Sequence, residues 1–226
     1  MRTFHVYIIE SPSPADLYHK RFEGEALNKT LQLSQIPSSH HITVDEIAFR
    51  AAFVVGLKEY FNSSSPAPSP IIHISAHGSD KGIQLTSGQV IQWDDLKQLL
   101  IPINEVVGGG LLLCMSSCKG FSSCVMAMDE EGKLPFGAVI GAVDQPTWGE
   151  TNIAFATFYH LFATGNNIPD AVGVMKLASG SQNFLFTSGA VARNAYLRRL
   201  HSETAISTLQ DNIAAVTDPN IKKFVK

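Results

Sequence analysis

The chain has 226 residues and a mass of 24.5 kDa; 45% of it is hydrophobic and 16% charged, with a net charge of −3 and a pI near 6.2. No run of Lys or Arg offers a footprint for nucleic acid or an anionic bilayer. No uncharged apolar stretch approaches the roughly 18 residues that a spanning helix needs, so neither nucleic acid nor membrane is expected as a partner.

A mean hydropathy of +0.08 and this length suit one domain, residues 1–226, large enough for a substantial core. The opening MRTFHVYIIESPSPADL lacks the apolar length and small-residue cleavage site of a signal peptide, which points to a cytoplasmic protein. Its three cysteines are an odd number for a disulfide framework. Their positions, Cys114, Cys118 and Cys124, lack the paired spacing of a zinc site, and the adjacent His40 and His41 read as ordinary strand-end residues. No metal and no organic cofactor is expected.

In chain order, FHVYIIE (4–10) reads as a β-strand stopped by SPSP. Leu17, Phe22, Leu27 and Leu31 give residues 14–33 a helical pattern, and SSHHITV (38–44) reads as a second strand. Thr43 and Glu46 form a capping-box pattern ahead of AFRAAFVVGLKEYF, a nearly all-apolar helix with a buried position expected. NSSSPAPSP breaks it. PIIHISA (70–76) is too short for a helix and is bounded by turn signals, as expected of a central parallel strand.

GIQLT and QVIQW around Ser87-Gly88 predict a hairpin, and Asp94 opens a short helix through Leu100. GGGLLLCMS and FGAVIGAV (136–143) are the next buried strands, followed by a helix from about 150 to 163 and a C-terminal helix near 201–216. Strand–helix alternation of this kind predicts an α/β fold, with a mostly parallel central sheet covered by helices on both faces. Nothing in the chain repeats.

In such sheets, ligands sit beyond the carboxyl ends of the strands. One central strand ends at His77-Gly78 and the next at Cys118. Together they hold the parts of a thiol protease: a sulfur nucleophile, an imidazole, and N–H groups for the oxyanion. Cys118 supplies the sulfur and one N–H, His77 the imidazole, and Gly78 an N–H that no side chain obstructs. Ser116, Ser117 and Gly120 are small enough for a peptide to lie against the strand end. Cys114 falls mid-strand and Cys124 beyond the turn, so both read as bystanders, and His73 reads as a packing residue. Asp80 reads as a turn residue. GGG (108–110) is no phosphate-binding loop, and no G-x-S-x-G elbow is present.

Ser-Ser-Cys-Lys-Gly (116–120) resembles the caspase signature Q-A-C-[RQG]-G, whose histidine lies roughly 50 residues upstream. Here the interval from His77 to Cys118 is 41 residues. HISAHGS, LLLCMSSCKG and GAVIGAVDQPTWGETNIAFATFYHLFATG, with its Phe158-Tyr159 pair, resemble the histidine strand, the cysteine strand and the strand–loop–helix of the CHAT branch of caspase-like proteases. The similarity covers roughly residues 4–180.

That resemblance implies a caspase-like three-layer sandwich with a small hairpin between the His and Cys strands, and a Cys–His dyad endopeptidase. It also implies a specificity pocket at Glu10, Ser75, Ser116 and Asp144, whose two carboxylates would favour Arg or Lys at the cleaved position. Ser116 stands where caspases carry Gln, so an aspartate preference does not carry over, and the aromatic of VDQPTW falls later than in that branch. By the same analogy, the protein substrate is a partner effector in a bacterial stress or anti-phage response. Control would come from a regulatory partner protein or a small-molecule signal that activates the protease. Two rivals are a silent binding module that recruits a partner and a non-protease signalling or nucleotide-binding domain.

Overall fold

The computed structural model describes residues 4–63 and 69–217; the middle of the Ser/Pro loop and the end of the C-terminal tail lie outside the described residues. Eight strands form the sheet: β1 (Phe4–Ser11), β2 (Ser38–Ile42), β3 (Ser69–Ser79), β4 (Gly82–Gln84), β5 (Val90–Gln92), β6 (Leu112–Ser116), β7 (Ala138–Ala142) and β8 (Phe184–Ser188). The main order is β2-β1-β3-β6-β7-β8, parallel except for β8, which runs antiparallel beside β7. The β4–β5 hairpin pairs with the last three residues of β3, His77 to Ser79.

Alternation along the strands sends side chains to two cores, one on each sheet face. Tyr7, Ile9, Ile72, Ile74, Leu113 and Met115 pack with Phe49, Phe53, Leu57, Leu96 and Leu100. Val6, Ile8, Ile71, Leu112, Cys114 and Ile140 pack with Leu27, Leu31, Phe155, Phe158, Tyr159 and Met175. Each fully buried Leu, Ile or Phe contributes roughly 1.5–3 kcal/mol. This is an α/β chain with helices on both faces of a mostly parallel sheet. Among the described residues no helix is long and apolar enough to cross a membrane.

The helices depart from the sequence reading in identifiable ways. Residues 14–33 are two helices, α1 (Pro14–Tyr18) and α2 (Glu23–Leu33), because Lys20 turns left-handed at φ 54° between them. The next helix, α3 (Glu46–Ala51), is capped by Asp45, whose Oδ1 accepts the Ala48 N–H at 2.8 Å. Thr43 still follows the strand, its N–H bonded to the Glu10 carbonyl at 2.8 Å, so it is not the cap.

Helix α3 continues through a π-helical stretch, Ala52–Gly56, into α4 (Leu57–Ser63). There the Tyr7 hydroxyl donates to the Ala52 carbonyl at 3.0 Å, and a Cβ on Gly56 would stand 2.1 Å from that hydroxyl. A phenol inserted against the helix backbone accounts for the bulge. Val54 and Val55 are exposed, so this segment is less buried than its composition suggests.

Helix α5 runs further than expected, Trp93–Val106, and α6 covers Trp148–Ala163. Beyond it stand α7 (Ile168–Ser179), strand β8, and α8 (Gly189–Thr217), which starts well before residue 201. Helix α7 has an Asn167 cap accepting from Asp170 N–H at 2.9 Å and a left-handed Gly180 at its end, both visible in the sequence as N-I-P-D and S-G.

Burial holds His5 below its ordinary pKa, with His41 adding repulsion; burial likewise holds His41 down, helped by His40. Such groups bind protons more readily once unfolded. Their contribution is therefore full above about pH 6.5 and is lost as pH falls through their lower folded values. The urea midpoint is expected to drop between pH 7 and pH 5, and a His5→Gln, His41→Gln double variant should flatten that slope; an unchanged slope would show that other groups control it.

Candidate active site

Strands β3 and β6 are parallel and in register, Ile72 opposite Leu113 and Ser75 opposite Ser116. Two residues further on come His77, still in β3, and Cys118, in the turn just past β6. Their backbones touch: a Cβ placed on Gly78 would lie 2.4 Å from the Cys118 carbonyl oxygen and 3.0 Å from the Ser117 Cβ. Only glycine lets the two strand ends approach this closely.

The chain then folds sharply at Cys118. Gly120 N–H returns to the Ser117 carbonyl at 3.0 Å, Lys119 N–H reaches the Asp144 carbonyl at 2.8 Å, and Lys119 is left-handed at φ 52°. A Cβ on Gly120 would stand 2.8 Å from both the Met115 carbonyl and the Ser117 Oγ, which fixes glycine there. A non-glycine residue held at positive φ beside a reactive side chain is the kind of backbone strain found at functional sites.

Asp80 is more than a turn former. Its carboxylate takes Lys119 Nζ at 2.5 Å and Ser122 Oγ at 3.3 Å, and its carbonyl accepts from Trp93 Nε1 at 2.8 Å. These contacts tie the loop after His77 to the turn that carries Cys118.

His77 and Cys118 line one cleft of about 260 Å³ with Ser117, Pro146, Thr147, Trp148 and Thr151. The far wall is the start of α6. Thr147 and Glu150 cap it reciprocally: Glu150 N–H donates to Thr147 Oγ1 at 3.2 Å, and Thr147 N–H donates to Glu150 Oε2 at 2.7 Å. That cap sets Trp148 edge-on to the His77 ring, with centroids 5.3 Å apart and planes at 74°.

On the other side His77 Nε2 meets Asp16 Oδ2 of α1 at 3.0 Å. Asp16, Trp148 and Thr147 are site residues that sequence reasoning missed. Ser13-x-x-Asp16 signals a cap, but nothing in the sequence joins it to a histidine 61 positions away.

Burial pushes the Cys118 thiol above its ordinary pKa; its own N–H works against this, and the Asp144 charge adds to it. Among the described residues no hydrogen bond joins Cys118 to His77. The resting thiol is therefore neutral at pH 7. Cys114, wholly buried, is pushed up to about 12, and burial also raises Cys124. His73 is buried, its Nδ1 3.0 Å from the Tyr159 hydroxyl and its ring edge-on to Phe155.

Of the expected pocket residues, Glu10, Ser75 and Ser116 form a buried row across β1, β3 and β6. None of the three lines the cleft. The Glu10 carboxylate is occupied: it accepts from Gly24 N–H at 2.9 Å, Glu25 N–H at 3.2 Å and His40 Nε2 at 2.6 Å. It caps α2, whose own cap residue, Phe22, offers no acceptor. Asp144 is exposed and lies outside the cleft lining, close enough for its charge to act on Cys118. Among the described residues no group of three metal-ligating side chains is present. Compared with known proteins, the chain matches no family model and no curated protein.

Alkylation of Cys118 by iodoacetamide should follow a thiol midpoint above that of a free cysteine. Asp144→Asn should shift the midpoint down and speed the reaction at pH 7.5 about two- to threefold. A wild-type midpoint below pH 7 would contradict the neutral resting thiol.

Proposed function

We propose that the chain is a cysteine endopeptidase of caspase-like fold, related to the CHAT branch, with Cys118 as nucleophile and His77 as its acid–base partner. The observation that carries this reading is the placement of these two side chains on one cleft wall at the carboxyl ends of adjacent parallel strands. The strand order, with a hairpin between the His and Cys strands, supports it.

In the reaction, Cys118 Sγ bonds to the scissile carbonyl carbon as its proton passes to His77. The N–H groups of Gly78 and Cys118 hold the oxyanion. His77 returns the proton to the leaving nitrogen as the C–N bond breaks, leaving a thioester. Water, losing a proton to His77, then adds to the thioester, and the C–S bond breaks to restore the thiol. No step calls for a metal.

A neutral thiol with no bond to His77 is a resting arrangement. It fits a cytoplasmic protease that a partner protein or small-molecule signal activates, as in a bacterial stress or anti-phage response. The same observation favours a second reading, a caspase-like module that binds a partner without cutting it. With Glu10 committed to α2, any preference for Arg or Lys at the cleaved position rests on Asp144, whose charge reaches Cys118 from outside the cleft.

A peptide library with Arg, Lys, Leu or Asp at the cleaved position tests the protease reading. Cleavage is expected to fall by at least about 10³-fold in Cys118→Ala and His77→Ala. Gly78→Ala, whose new Cβ meets the Cys118 carbonyl, should also lose turnover. Binding of a partner protein that is never cleaved, with Cys118→Ala binding as well as wild type, would favour the second reading.

A further inference from the structure

We propose that Asp16 is the positioning residue for His77, fixing which ring nitrogen exchanges a proton with the cleft; this rests on the protease reading above. Asp16 is 4% exposed and lies in α1, directly after β1. Three side chains converge on its carboxylate. The Ser13 hydroxyl donates to Oδ2 at 2.6 Å, Arg21 Nε donates to Oδ1 at 3.0 Å, and His77 Nε2 lies 3.0 Å from Oδ2.

Backbone contacts hold the aspartate as firmly: its N–H donates to Ser13 Oγ at 3.1 Å, and Arg21 N–H donates to its carbonyl at 2.9 Å. Burial alone would raise its pKa. The hydrogen bonds from Ser13 and His77 and the charge of Arg21 outweigh that and keep the carboxyl below its ordinary value.

An ionised carboxylate can only accept. The hydrogen between His77 and Asp16 therefore sits on Nε2, and the lone pair of the neutral ring sits on Nδ1. Nδ1 is then the nitrogen that receives the Cys118 proton and later delivers it to the leaving amine. The Nε2–H stays with Asp16, which also stabilises the imidazolium formed in between. Trp148 packs edge-on to the same ring, so His77 is held by a hydrogen bond and by an aromatic contact. A ring turned over would break the Asp16 bond and bring the wrong nitrogen to the cleft.

The test uses the full chain labelled with 15N-histidine, with the His77 signals assigned by their loss in His77→Gln. At pH 8 wild type should show His77 protonated at Nε2. In Asp16→Asn the side-chain amide can donate to Nε2, and the ring should move to the Nδ1–H form. With the best substrate of the library, kcat should fall about 10- to 10³-fold while KM stays near wild type. The wild-type reading does not depend on Asp16→Asn, so it decides even if that variant does not fold: an Nδ1–H ring there overturns the proposal.

If Cys118→Ala and His77→Ala abolish cleavage but Asp16→Asn keeps both tautomer and kcat, the protease stands and the positioning role is refuted. If a peptide is cut by wild type and equally by Cys118→Ala and His77→Ala, the protease reading fails and the positioning role with it.

Discussion

The site depends on the parallel pairing of β3 with β6. Register fixes two strand ends side by side, and what lies just past those ends is settled by backbone contact: Gly78 against the Cys118 carbonyl, and Gly120 against Met115 and Ser117. A side chain at either glycine would drive the strand end and the Cys118 turn apart. The large buried cores on both sheet faces make this rigid, since neither strand can slide without moving its whole set of buried residues to the wrong face. His77, near the end of β3, and Cys118, in the turn just past β6, are thus held by a rigid scaffold.

Around that rigid seam the charges are arranged in two layers. Asp16, buried and surrounded by Ser13, Arg21 and His77, faces the imidazole side. Asp80 and Asp144, both exposed, flank the sulfur side through Lys119: one takes its ammonium and the other its backbone N–H. A thiolate at Cys118 is disfavoured first by burial and then by the charge of Asp144, while Lys119 is engaged by Asp80. An incoming substrate or regulator that displaced the Asp80–Lys119 contact would free a cation one residue from Cys118. Exposed pairs of this kind are weak, so displacement is inexpensive.

How much of this was legible in the sequence follows from the range of each interaction. The central strands were readable because burial on both faces makes a short, continuous apolar run, as in PIIHISA and GGGLLLCMS. The hairpin was readable from Ser87-Gly88. Strand β8 was not, since Leu185 and Phe186 stand partly exposed on an edge and its five residues offer no clean alternation. Helix α7 was legible in principle from its Asn167 cap and Gly180 stop. The break at Lys20 was not, because a left-handed lysine carries no composition signal.

Site residues divide the same way. His77, Gly78 and Cys118 announce themselves by local type and by their position after apolar runs. Glu10 has equally suggestive chemistry at a strand end. Yet its charge is spent on the first turn of α2 and on His40, partners that only the packed chain brings to it. Asp16 is the converse: it sits in a local cap pattern, SPSPAD, with no sequence sign that the carboxylate also faces His77. A carboxylate's role is set by which donors reach it first. Glu10 is reached by two backbone N–H groups and a histidine away from the cleft, whereas Asp16 is reached by the histidine that lines it. That difference in partners makes one a structural cap and leaves the other in contact with the proposed chemistry.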